Sequence, residues 1–180
     1  MMTSTRHTLE GTWILDKTRS DWSMTPYLQT MEVDPLAIEA HEKGDLEADT
    51  FHTIHFLPGN RVQLIKRSRV NNDLVIDLEL GMEQVEHLSP GQRPKTMIAT
   101  ADRARSFLEI QSTLQTMSNG TASVRDVKRL QHENGAVVLI QELTITNERT
   151  GASHSLQRTF LPYYDTPPHL VVEETEELHT

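Results

Sequence analysis

Thr25-Pro26-Tyr27-Leu28-Gln29-Thr30-Met31-Glu32-Val33-Asp34-Pro35-Leu36-Ala37-Ile38-Glu39-Ala40-His41-Glu42-Lys43-Gly44 is the one stretch of the chain that departs from strand chemistry. Twice within it a polar residue precedes proline, at Thr25-Pro26 and at Asp34-Pro35. A polar N-cap accepts from the first-turn amides, and proline at the first helical position gives up an N–H that would be unpaired anyway. The pattern predicts a short helix over 27–32 and a second over 36–43 that stops at Gly44, a residue suited to ending helices. Tyr27, Leu28 and Met31 fall together on the first helix, and Leu36, Ile38 and Ala40 lie on the second. Both sets read as apolar surface for packing onto whatever lies beneath.

Outward from this stretch the chain is punctuated for hairpins. Turn chemistry stands at Pro58-Gly59-Asn60, Asn71-Asn72-Asp73, Ser89-Pro90-Gly91, Asn119-Gly120, Asn134-Gly135 and Arg149-Thr150-Gly151, and the runs between are rich in Val, Ile, Thr, Leu and Phe. Asn-Gly between such runs is a strong hairpin signal. Strands are therefore predicted over 9–15, 49–57, 61–70, 74–80, 82–88, 95–101, 106–116, 121–131, 136–146 and 152–161. An open sheet of ten strands would expose two unpaired edges, and closure removes them. A closed sheet of that size is wider than the barrels that side chains fill, so it tends to enclose a cavity. The fold class expected is mainly β: a ten-stranded antiparallel up-and-down β-barrel with a two-helix lid between the first two strands.

The 180 residues carry 17 Lys and Arg against 26 Asp and Glu, a net charge of −9. Nucleic-acid and anionic-membrane partners want a basic face, so both are disfavoured. With no cysteine, disulfide frameworks, thiolate metal sites and thiol catalysis are excluded. No run approaches the roughly 20 apolar residues of a membrane helix, and Met1–His7 has no apolar stretch behind its Arg, so a cytoplasmic location is expected. Asn119-Gly120-Thr121 fits a glycosylation acceptor but reads as a turn. One domain is expected over 1–162. A mobile acidic tail over 163–180 follows, holding Asp165, Glu173, Glu174, Glu176 and Glu177 and no Lys or Arg.

The last strand is the most informative for binding. In His154-Ser155-Leu156-Gln157-Arg158-Thr159-Phe160 the apolar residues Leu156 and Phe160 alternate with small or polar ones, which places Arg158 on the inward face and His154 with it. A guanidinium inside a barrel is costly unless it meets an anion. Its planar fork fits a carboxylate. Arg158 is thus either a ligand anchor, the partner of an inward Glu, or a side chain that snorkels out at a mouth. Arg125 and Arg129, four apart on an earlier strand, share a face and are either a second inward cation or ordinary exposed bases. Met24 and Met31 suit an adaptable portal. The nine histidines do not make a metal site: His52 and His55, three apart on a strand, point to opposite faces, and His41 has no acidic partner at a compelling helical spacing. No Ser-His-Asp order, catalytic carboxylate pair or phosphate-binding Gly loop is legible, so neither catalytic residues nor cofactors are expected.

The order of elements resembles the intracellular fatty-acid-binding and retinoid-binding proteins of the calycin superfamily. Gly11-Thr12-Trp13-Ile14-Leu15 is similar to that family's opening G-T-W-x-L, and Tyr27–Val33 to its lid segment Y-M-x-x-L-G-V, with Glu32 where the family carries Gly. Leu80-Gly81-Met82-Glu83-Gln84 resembles L-G-x-E-F, Arg93-Pro94-Lys95-Thr96 the start of the next strand, and Arg158-Thr159-Phe160 the closing R-T-Y with Phe in place of Tyr. The resemblance implies a monomeric, non-catalytic carrier of a long-chain fatty acid or similar apolar carboxylate, lipid-binding and transport proteins being the family's members. It implies carboxylate contacts from Arg158 and, on the earlier strand, Arg129 or Arg125, with Tyr27, Met31, Leu156, Phe160 and His154 around the cavity and portal. Two alternatives stay open: a haem-binding or isomerase-type barrel using His154, and a filled barrel serving protein interaction.

Overall fold

The computed structural model describes residues 6–68 and 73–164. Ten strands form one antiparallel sheet: β1 (Gly11–Leu15), β2 (Phe51–Leu57), β3 (Arg61–Arg67), β4 (Leu74–Glu79), β5 (Gln84–Leu88), β6 (Arg93–Ala101), β7 (Phe107–Gln115), β8 (Thr121–Glu133), β9 (Ala136–Asn147) and β10 (Ser153–Tyr163). Their order, β4-β3-β2-β1-β10-β9-β8-β7-β6-β5, is a meander that returns on itself, with β1 and β10 closing it antiparallel. The sheet is a nearly closed barrel. The seam lies between β4 and β5, where side and turn groups stand in for a ladder: Gly81 N–H donates to Ala99 O at 2.7 Å, and Glu79 N–H to Gln84 Oε1 at 2.9 Å. The Asn134-Gly135 hairpin has positive φ at both residues, +47° and +82°, as its two-residue turn demands.

The helices are α1 (Thr25–Thr30) and α2 (Pro35–Glu47), inserted between β1 and β2 as the sequence predicts. Asp34 caps α2 by accepting from Leu36 N–H at 2.8 Å. Two details differ from the sequence reading. Thr25 is the first residue of α1, not its cap, and its amide donates to Ser23 Oγ. The second helix runs through Gly44 for another three residues, because Asp45 on the added turn is buried against His41 one turn back. That tertiary gain exceeds the roughly 1 kcal/mol that glycine costs within a helix. The position of Glu32 is a glycine position in conformation, with φ +56°. It is held by the ion pair with Arg149 and by Asn119 Nδ2, which donates to Met31 O and Glu32 O.

The apolar core fills the end of the barrel away from the lid. Trp13, Ile54, Phe56, Leu64, Leu108, Leu139 and Phe160 are buried in one cluster with their neighbours. Trp13 also donates through Nε1 to Leu9 O at 2.9 Å, and the Arg6 guanidinium stacks on its outer ring face. β10 continues through Tyr163, one residue past the predicted domain boundary. The acidic tail expected over 163–180 lies outside the described residues from 165 onward. Among the described residues no helix is long and apolar enough to cross a membrane.

Candidate functional site

Between the packed end and the lid the barrel interior turns polar. On β8 Ala122, Asp126 and Lys128 are buried on the even-numbered face, while on the odd-numbered face Arg125 is exposed and Val127 is covered. Arg125 is on the outer face, ion-paired with Glu109 at 2.5 Å, and Arg129, four residues on, shares that face. The expectation of an inward arginine on this strand is therefore corrected: its interior cation is Lys128, 1 % exposed. Period-two alternation gives the reason. The even positions 122, 124 and 130 are apolar, and Asp126 and Lys128 fall in their register.

Asp126 is the hub of the interior. Its Oδ2 accepts from Lys128 Nζ at 2.6 Å and Lys66 Nζ at 3.2 Å, and its Oδ1 from Gln141 Nε2 at 3.0 Å. Burial alone would raise this carboxyl, but Lys128 and Lys66 outweigh it and hold Asp126 well below the usual carboxylate range. Burial pushes Lys128 down to about 8 against the pull of Asp126. His52, buried and stacked on Phe160 at 4.6 Å, is driven well below its ordinary value by burial and by Lys128, Lys66 and Arg158, so the imidazole is neutral.

Lys128 supplies a stability prediction. Between pH 8 and 10.5 the unfolded chain keeps the Lys128 proton while the folded chain sheds it, so stability rises with pH in that window. Denaturant unfolding of the wild type from pH 7.5 to 10.5 should show an alkaline gain on the order of 3 kcal/mol, absent from Lys128→Met, in which Lys66 still faces Asp126. Parallel pH curves for the two proteins would refute the placement of this amine.

Arg158 lies opposite Gln141 in the β9–β10 register and is buried, as the alternation on β10 predicts. Among the described residues no carboxylate comes within 4.0 Å of it, the ion pairs there being those of other residues. Its Nη1 meets the Met24 sulfur at 4.0 Å, its guanidinium lies over the Phe160 ring, and its Nε has no hydrogen-bond partner. Burial lowers its pKa against the more distant Asp45 and Asp126, yet an arginine remains charged.

Arg158 borders a cavity of about 150 Å³ beneath α2, lined with it by Met24, Asp45, His52, Lys66 and Gln141 among others. His41 Nδ1 stands 3.0 Å from Asp45 Oδ2 at this wall, close enough for an ion pair though off hydrogen-bond alignment, and the carboxylate holds His41 above its ordinary value. The sequence reading, which ended the helix before Asp45, left His41 without this partner. The cavity is a compact one. It matches the size of an engineered void that accepts benzene and lies below the roughly 300–1,000 Å³ of sites for larger ligands.

The other expected lining residues lie elsewhere. Met31 packs with Ala122 and Ile145, and Tyr27 against them, which seats α1 on the barrel rim. Burial, with Asp126 nearby, holds the Tyr27 phenol above its ordinary value. Phe160 belongs to the core under His52. His154, half-buried, and Leu156, buried, border a groove where the Ser20–Pro26 segment crosses β10, and His154 is not among the residues lining the Arg158 cavity. α1 is pinned by Asn147 Nδ2 donating to Thr30 O at 3.0 Å and by Asn119. α2 buries Ile38 and Asp45 and is tied down by Ser23 Oγ donating to Glu42 Oε1 at 2.7 Å and by Lys17 Nζ donating to Ala48 O at 2.6 Å.

No protein-family model matches the sequence, and no curated protein matches it. Solved structures do match. Fatty-acid-binding protein 1 of Echinococcus granulosus superposes with a TM-score of 0.59 at 13 % identity, over 87 % of this chain and 98 % of that one. Secretory abundant heat soluble protein 4 of Ramazzottius varieornatus gives 0.61 at 11 % identity, over 91 % and 100 %. The wild-type fluorescent protein UnaG gives 0.54 at 13 % identity, over 86 % and 97 %. The chain has the fold of a fatty-acid-binding-protein-like barrel with a helical lid.

Proposed function

We propose that this barrel reversibly binds an apolar carboxylate, without catalysis, and holds its acid head on Arg158. The observation that carries the reading is a buried guanidinium facing a cavity with no carboxylate at ion-pairing distance among the described residues. Such a charge is stabilised when an anion arrives. Lys66, sharing Asp126 with Lys128 at the same wall, adds a second positive charge. The fatty-acid-binding protein among the structural neighbours supports the class of ligand. The 150 Å³ void supports a compact member of it, such as octanoate. The groove position of His154 speaks against a haem liganded by that residue.

Titration calorimetry with octanoate and octan-1-ol tests this. Arg158→Ala should weaken octanoate binding by about 10–100-fold, the worth of a charge-assisted contact, and octan-1-ol binding by less than about threefold. Equal losses for both would deny Arg158 the head-group role. No binding of either by the wild type would leave a packed scaffold for protein contact and end the reading.

A further inference from the structure

Among the described residues five buried polar atoms around the cavity make no hydrogen bond; His41 Nδ1 and Asp45 Oδ2 answer each other as an ion pair, which leaves Arg158 Nε, Gln141 Oε1 and His52 Nδ1. Their chemistry is unequal. Arg158 can only donate, whereas Gln141 Oε1 can only accept. The orientation of the Gln141 amide is fixed by its surroundings. Its Nε2 donates to Asp126 Oδ1, and an ionised Asp126 has no proton to give back, so a flipped amide would set oxygen against oxygen. The carbonyl end is thereby left at the cavity on a side chain only 1 % exposed. Gln141 and Arg158 are directly paired on neighbouring strands with side chains on one face, which brings their Cβ atoms to about 5 Å.

A plain carboxylate on Arg158 brings acceptors alone. It satisfies the guanidinium and leaves the Gln141 oxygen desolvated, a penalty that a donor on the same ligand removes. Resting on the carboxylate reading above, we infer that the preferred ligand is a hydroxy acid: an apolar carboxylate with an O–H on the carbon next to the head, donating to Gln141 Oε1 while Arg158 holds the carboxylate. His52 Nδ1 lies at the same wall, and the neutral ring, by choice of tautomer, can receive or give the remaining hydrogen bond. Because the two anchors are fixed on one chiral wall, one enantiomer should be favoured.

Calorimetric titration of the wild-type protein with octanoate and with each enantiomer of 2-hydroxyoctanoate decides the matter. One enantiomer should bind about tenfold tighter than octanoate. In Gln141→Met, which removes the acceptor at similar length, that advantage should fall to about twofold or less while octanoate still binds. Octanoate binding with neither hydroxy acid tighter would overturn this inference and leave the carboxylate reading standing, with an ordered water serving Gln141 instead. A preference that survives in Gln141→Met would also overturn it. Failure of octanoate and both hydroxy acids to bind would remove the carboxylate reading and this one with it. Should Gln141→Met fail to fold, the wild-type comparison still decides.

Discussion

Asp126→Asn is expected to lower the unfolding free energy by about 3–5 kcal/mol, the cost of breaking a buried ion pair on one side. The substitution keeps the shape and lets an oxygen continue to accept from Gln141. It removes the charge that answers both Lys128 and Lys66. Lys66 is 27 % exposed and has a path to water, whereas Lys128 at 1 % has none. Lys128 must then either remain charged without a partner or lose its proton. The double variant Asp126→Asn/Lys128→Met should recover most of the loss, since the ion pair and an apolar replacement are often close in stability. Acid titration gives a second signature. As pH falls below about 3.9 the unfolded Asp126 takes up a proton and the folded one does not, so the wild type loses stability there more steeply than Asp126→Asn. A single-variant loss below about 1 kcal/mol in urea unfolding at pH 7 would show that no buried charge hub exists.

Trp13→Ala should cost about 3–5 kcal/mol and lower the thermal midpoint by roughly 10 °C or more. Trp13 is fully buried where β1 meets β2 and β10, its indole N–H is spent on Leu9 O, and Arg6 covers its outer face. Removing the ring opens a void among side chains that are themselves locked in a sheet and cannot collapse into it. Leu161→Ala, on the outward face of the adjoining strand and 37 % exposed, is the control and should change stability by less than about 0.5 kcal/mol. A small effect at Trp13 would mean that the end of the barrel opposite the lid is not close-packed. That result would also reopen the question of how much lumen a ligand can occupy.

Local signals made much of this architecture legible, and the misses have local causes. Asn134-Gly135 and Gly120 marked hairpins because few other residues accept their positive φ. Asp34-Pro35 marked the start of α2 through hydrogen bonds made within one turn. Gly44 misled for the same reason: propensity described the helix alone, while the burial of Asp45 beside His41 belongs to the assembled barrel. On β10 the alternation of Leu156, Arg158 and Phe160 was clean, and Arg158 is indeed buried with them. On β8 the arginines fall in the outward register, while the register of Ala122, Val124 and Leu130 carries Asp126 and Lys128 inward.

By itself, then, the sequence determined the order and number of the strands, the place of the two helices and the inward turn of Arg158, because turn angles, caps and period-two alternation act between residues close along the chain. Only the tertiary structure decided that Lys128, Lys66, Asp126 and Gln141 meet at one point, that Arg158 borders a 150 Å³ cavity, and that the Gln141 oxygen is left without a partner beside it. Ion pairing and hydrogen bonding here act between residues 15 to 60 positions apart, such as Asp126 with Gln141 and Lys66 with Asp126. Such pairings exist only once the sheet has closed.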